Sequence, residues 1–317
     1  MERDLVIEFA RVTEAAAINC EKWIGRMEKN SADGAAVEAM RKMFDTIHIS
    51  GTVVIGEGEM DEAPMLYIGE KVGLGGNEVD IAVDPLEGTN LTAKNQHGAI
   101  AVMAIAEAGG LLHAPDMYMD KIIVGPKAKG AIDIDKTVEE NLKNVAKAIG
   151  KDLSEMTVCL LDRERHEHIK QACKALGARV KLITDGDVAP ALTVAMETGA
   201  IDMILGIGGA PEGVLAAAAV KCLGGDMQAR LVPENDEQIR RAETMGHTDM
   251  NHVFTLNELV SVDDVMFIAT GVTDGDVLRG IVQTGEHIKT HTIVLRNKTK
   301  TIRFIEAMYK KPSEVKA

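Results

Sequence analysis

Between residues 156 and 224, three short apolar runs alternate with three segments of helical period. MTVCLL leads into HEHIKQACKALG, RVKLIT into VAPALTVAMETG, and IDMILGIG into PEGVLAAAAVKCLG. Nothing else in the chain narrows the fold as much, because this alternation predicts parallel strands covered by helices. The preceding half reads differently. Residues 3 to 25 predict an amphipathic helix with Leu5, Phe9, Val12 and Ala16 on one stripe, and ADGAAVEAMRKMFDTI predicts a second, starting near Asp33. A strand GTVVIG, an acidic loop and a strand EVDIAVD follow, the last with Val79, Ile81 and Val83 alternating inward. GAIAVMAIAEAGGLLHAPDMYMDKIIVGP suggests antiparallel strands turning at Gly109-Gly110, and TVEENLKNVAKAIG another helix. The change of pattern sets a boundary near residue 155. It gives an α+β unit over 1–155 and an α/β unit over 156–317, with the terminal KKPSEVKA expected to fray.

Charge limits the partners. A net charge of −14 disfavours nucleic acid or an anionic membrane, and an anionic substrate would need metal ions and local Lys or Arg to receive it. Aromatics at 3% argue against stacking platforms for bases or sugars. Cys20, Cys159, Cys173 and Cys222 are far apart with no CxxC pair, so reduced, buried thiols are expected. The first residues are charged throughout and no long apolar segment occurs, which points to a cytoplasmic protein without a membrane span.

Two acidic stretches follow successive strands: GEGEMDEAP, with Glu57, Glu59, Asp61 and Glu62, and DPLEGT, with Asp84 and Glu87. Each acid alone reads as a solvated loop residue or helix cap. Together, after the carboxyl ends of strands, they read as an oxygen-only site for a hard cation such as Mg²⁺ or Mn²⁺. Pro85 restrains the backbone between its two acids. Gly88 permits close backbone approach to a phosphate, and Thr89 can orient a water.

DPLEGT resembles the D-P-x-[DE]-G-[ST] signature of the lithium-sensitive phosphatase superfamily, which includes inositol monophosphatases and fructose-bisphosphatases. KNSADGAAV, GTVVIGEGEMDEAPMLYIGEKVG, VDIAVDPLEGT, APDMYMDKIIVGP, DGDVA and GIGGAPEGV, in that order, resemble the bacterial class II fructose-1,6-bisphosphatases from about residue 3 to beyond residue 300. The resemblance implies a layered α/β/α/β/α sandwich of the sugar phosphatase type. It also implies hydrolysis of the 1-phosphate of fructose 1,6-bisphosphate in gluconeogenesis, by a homo-oligomer, dimer or tetramer. Two Mn²⁺ or Mg²⁺ ions are implied, one held by Asp33 and Glu57, the other by Asp84, Glu87 and Glu212. Substrate is implied to meet Glu87, Gly88, Thr89, Tyr118, Arg163, Glu164, Arg165, Asp185, Gly186, Asp187 and Gly209. Thr89 is implied to orient the attacking water, with Asp61 or Glu59 accepting its proton.

Several residues also have plainer readings. Arg163 and Arg165 could be a solvated helix start, Tyr118 a packing residue, Lys29 an exposed charge, and TDGDVA a helix-capping turn. His166 and His168 are i, i+2 and face different sides of a helix, so both are expected at the surface. An aspartyl-phosphate mechanism at Asp185 fits poorly because Ala189 stands where Thr or Val is wanted. Dinucleotide binding at GIGGAPEG lacks the third glycine, with Pro211 in its place. Sedoheptulose 1,7-bisphosphate is an alternative substrate, and a non-catalytic sugar-phosphate binder an alternative role.

Overall fold

A computed structural model describes residues 5–58 and 63–311. Glu59, Asp61, Glu62 and residues 312–317 of the terminal KKPSEVKA lie outside them, while Lys310, expected to fray, ends the last strand. The chain begins with helices α1 (Leu5–Cys20) and α2 (Lys29–Phe44), then strands β1 (Ile49–Ile55), β2 (Lys71–Val72) and β3 (Asn77–Glu87), helix α3 (Thr89–Ala93) and strand β4 (Ile100–Glu107). Next come β5 (Tyr118–Val124), α4 (Val138–Ile149), β6 (Thr157–Leu161), α5 (Glu167–Leu176), β7 (Arg179–Ile183), α6 (Val188–Ala195), β8 (Met203–Gly209) and α7 (Ala210–Leu223). The chain closes with β9 (Asp226–Val232), α8 (Asp236–Thr244), β10 (Phe254–Thr255), α9 (Leu256–Leu259), β11 (Val265–Gly271), β12 (Val282–Thr284), β13 (His287–Arg296) and β14 (Thr301–Lys310).

The strands form two sheets. The first has the order β12-β13-β11-β4-β3-β1-β2, with β14 also on β13; the second has the order β10-β9-β5-β8-β6-β7. Period-2 alternation then sorts the side chains into three cores. Ile81, Met103, Ile105, Met266 and Ile268 of the first sheet face Phe9, Val12, Met40 and Phe44 of α1 and α2. Ala82, Val102, Ala104 and Phe267, on its other face, meet α6 and α7, which also cover Met119, Ile123 and Met227 of the second sheet. Ile122, Val124, Val158 and Leu160 pack outward on Leu142, Val145, Ile169 and Cys173 of α4 and α5. The result is the expected α/β/α/β/α sandwich. The middle helix α7 is buried along almost its whole length, and VLAAAAV supplies the small apolar residues that let two sheets approach it.

Local chemistry sets the helix ends and contacts. Thr137 and Glu140 form a reciprocal capping box that starts α4. Glu14 of α1 accepts hydrogen bonds from Thr292 and Tyr309, while Thr13 shares a hydrogen bond of 2.8 Å with Thr270, fixing this helix to β11, β13 and β14.

Some expectations need correction. β6, β7 and β8 are parallel as read, but β5 lies antiparallel to β8 and β9 antiparallel to β5, so the second sheet is mixed. The strands around Gly109-Gly110 do not pair with one another. β4 belongs to the first sheet and β5 to the second, so this turn carries the chain between layers. Both sheets draw strands from either side of residue 155, and sheet membership does not follow that boundary. α2 begins at Lys29, which places Asp33 a turn inside the helix rather than at its start.

Candidate active site

A cavity of about 410 Å³ opens where β1, β3, β6, β7 and β8 end, walled by both sheets and by the first turn of α7. Strands end there because each continues into a segment rich in Gly, Asp and Glu: GEG after β1, GT after β3, DGD after β7. The cavity gathers Asp33, Glu57, Asp84, Glu87, Gly88, Thr89, Tyr118, Arg163, Arg165, Asp185, Gly186, Asp187, Gly209 and Glu212. Glu164 is exposed and is not among its lining residues.

The DPLEGT segment is not the loop that the sequence suggests. β3 runs on through Pro85 to Glu87, with a bulge: Asp84 pairs with Val102 and Glu87 with Ile100. Residues three apart in a regular strand point to opposite faces. The one extra residue brings Asp84 and Glu87 onto the same face, and Pro85, which has no N–H to offer a ladder, sits where the ladder is interrupted. Gly88 then turns the chain into α3 at φ 89°, a left-handed conformation that suits glycine.

The acids influence one another. Burial, then Asp33 and Glu212, push Glu57 up to about 8. Burial pushes Asp84 well above the usual carboxylate range, with Glu57, Glu87, Glu212 and Asp33 adding to it. Glu87 is raised to about 8, first by burial; the Val188 N–H opposes this, and Asp187, Glu212 and Asp185 add to it. Asp33 and Glu212 are also raised, chiefly by burial. Glu87 accepts the Val188 N–H at 2.7 Å on Oε1, while its buried Oε2 has no protein partner. Such a group needs positive charge or a donor from outside the chain. Among the described residues no three His, Cys, Asp or Glu side chains stand ready to share one ion; the acids are spread along the cavity wall. All-oxygen donors of this kind suit Mg²⁺ or Mn²⁺.

The remaining wall is positioned by the second sheet. Arg163 donates to the Thr184 carbonyl at 2.9 Å, and Arg165 to the Ile207 carbonyl at 2.8 Å, with its guanidinium 4.6 Å from the Tyr118 ring centre. Asp185 accepts from both the backbone and side-chain N–H groups of Asn90, each at 3.1 Å. His168 is exposed as expected, but His166 is buried. Its Nδ1 donates to the Leu161 carbonyl and its Nε2 accepts the Ile207 N–H, both at 2.8 Å, fastening the end of β6 to β8. Helix-face reasoning failed there because residues 164–166 form a 3-10 turn before α5 begins. The four cysteines are buried and free, as expected. Lys29 is exposed.

Sequence reasoning missed Asp116, which lines the cavity, and Lys121, which lies behind it with only 2% of its surface exposed. The signal for Lys121 was available: it shares a strand face with Met119 and Ile123, both core residues. GIGGAPEG also gains a different meaning. A Cβ at Gly206 would lie 2.8 Å from His166 Nε2, and one at Gly209 1.9 Å from Glu212 Oε2, so these glycines admit side chains rather than a pyrophosphate.

A cavity with this many carboxylates repels a phosphate dianion unless cations intervene, yet two arginines on the same wall invite one. Fold and site together define a phosphatase of the layered-sandwich class. Comparison with known proteins agrees. Residues 3–309 match the family described as "Bacterial fructose-1,6-bisphosphatase, glpX-encoded". The chain is 49% identical over 323 residues to fructose-1,6-bisphosphatase 1 class 2 of Escherichia coli K12, covering 98% of this chain and 96% of that one. It is 48% identical to the class 2 enzyme of Haemophilus influenzae, covering 98% and 97%. It is 43% identical to the D-fructose 1,6-bisphosphatase class 2/sedoheptulose 1,7-bisphosphatase of a Synechococcus strain, covering 99% and 98%. The chain belongs to the glpX-encoded bacterial fructose-1,6-bisphosphatase family.

Proposed function

We propose that this enzyme hydrolyses the 1-phosphate of fructose 1,6-bisphosphate to fructose 6-phosphate and phosphate, with divalent cations at the acid cluster. The observation that carries this reading is one cavity lined both by eight carboxylates, Asp33, Glu57, Asp84, Glu87 and Glu212 among them, and by Arg163, Arg165 and Tyr118, in a member of this family. Asp33 and Glu57 would hold one ion, and Asp84, Glu87 and Glu212 a second. Bound Mn²⁺ or Mg²⁺ supplies positive charge that polarises the phosphoryl group and lowers the pKa of water. Thr89, the first residue of α3, offers its hydroxyl to orient the attacking water, and Glu59 or Asp61 accepts the proton. Arg165, held by the Ile207 carbonyl and the Tyr118 ring, receives the distal phosphate with Arg163 beside it. Asp185, Gly186, Asp187 and Gly209 bind the sugar. No helix among the described residues is long and apolar enough to cross a membrane, and the expectation of a cytoplasmic, oligomeric enzyme of gluconeogenesis goes with this reading.

Sedoheptulose 1,7-bisphosphate is the second reading, favoured by the printed name of the Synechococcus relative. A phosphate-release panel of sugar bisphosphates and inositol monophosphate, with each metal in turn, tests both. Fructose 1,6-bisphosphate should give the highest kcat/KM. A preference for the seven-carbon sugar moves the assignment to the second reading, and activity confined to inositol phosphates ends both.

A further inference from the structure

Lys121 has no part in the chemistry described above, yet its placement is costly. It stands on β5, between β8 and β9, with its ammonium 2.5 Å from Asp187 Oδ2 and donating to the Gly209 carbonyl at 3.0 Å. The space around its ammonium is kept open by a glycine. A Cβ on Gly208 would lie 2.9 Å from Lys121 Nζ and 2.3 Å from Asp187 Oδ2. A buried ion pair is a poor stability device, because removing two charges from water offsets most of their attraction, and apolar replacements often do as well. Its retention therefore points to geometry.

The partner carboxylate supplies that geometry. Asp187 is buried and lines the cavity; Oδ2 is taken by Lys121, whereas Oδ1 has no protein partner. A buried carboxylate oxygen left without a donor is unfavourable unless something entering the cavity completes it. We propose that Lys121 is a positioning residue for substrate: it holds Asp187 by Oδ2 so that Oδ1 is presented to the cavity as the acceptor for a sugar hydroxyl. Gly208 is a glycine to admit this ion pair. The proposal rests on the reading of the cavity as a sugar-phosphate site and adds to it a support that acts through Asp187.

The test is a double-mutant cycle on phosphate release from fructose 1,6-bisphosphate, with thermal melts of every variant. Lys121→Met keeps the length of the stem and removes the charge. It should raise KM about tenfold, the range of a lost hydrogen bond to a charged group, while kcat falls by under about threefold. Asp187→Asn should raise KM similarly, and the double variant should be no worse than Asp187→Asn alone. A folded Lys121→Met enzyme with KM within about twofold of wild type overturns the proposal, as do single effects that multiply in the double variant. If Lys121→Met does not fold, the double variant leaves no unpaired buried charge and carries the test: its KM should match that of Asp187→Asn, and a KM near wild type overturns the proposal. Wild-type enzyme that releases no phosphate from this substrate overturns the functional reading instead. The cycle is then read as affinity for fructose 6-phosphate by calorimetry, where equal affinities of wild type and Lys121→Met overturn the Lys121 proposal.

Discussion

Glu87 accepts the Val188 N–H through one carboxylate oxygen and leaves the other buried without a protein partner. A glutamine there can still accept the same N–H but cannot supply a negative charge. Glu87→Gln is therefore expected to keep the fold and to lower phosphate release more than about a hundredfold at saturating metal. Activity within a factor of a few of wild type would remove Glu87 from the ligand set. His166 makes a prediction of opposite kind, in stability. Burial lowers its pKa from 6.5, so the folded state refuses a proton that the unfolded chain accepts. Its contribution is complete above pH 6.5 and is lost as the pH falls from there toward the folded pKa. The melting-temperature advantage of wild type over His166→Gln should thus shrink below pH 6.5, measured on both proteins in the same buffers. A constant difference across that range would show that His166 does not titrate this way.

Among the elements, α4 and β3 mark the two extremes of legibility. The Thr137 and Glu140 pair can be read directly from T-x-x-E before an apolar helical pattern, and the structure has the capping box at that place. No α4 residue lines the cavity. Thr137→Ala should therefore lower the free energy of unfolding by about 1 kcal/mol in denaturant titrations, with kcat and KM unchanged. β3 could be read as a strand from Val79, Ile81 and Val83, but its continuation through a proline could not. Proline reads as a strand end; only the pairing of Glu87 with Ile100 of β4 reveals that the strand resumes after a bulge. The bulge depends on a partner strand, and partner strands are not local information.

At the scale of the molecule, the chain carries a net charge of −14 and concentrates several of its acids in one cavity. A divalent cation that binds the folded state and not the unfolded one stabilises it by mass action, by about 2.7 kcal/mol when present at a hundred times its dissociation constant. Treatment with a chelator should abolish phosphate release and lower the melting temperature, and Mn²⁺ or Mg²⁺ should restore both. Full activity in metal-free buffer would refute the metal-dependent reading. Lys121 belongs to this scale as well, since its partners Asp187 and Gly209 arrive from segments far along the chain.

The sequence alone determined the helix or strand type of most elements up to α7, the apolar faces of α1 and β3, and the acids after β1 and at the end of β3, because each is written in neighbouring residues, the elements with a period of 2 or 3.6. The tertiary structure decided which sheet each strand joins, that His166 and Lys121 are buried, and that Asp33, Glu57, Asp84, Glu87 and Glu212 line one cavity. Those outcomes depend on long-range pairing and on the space left by particular glycines, and no local pattern encodes either.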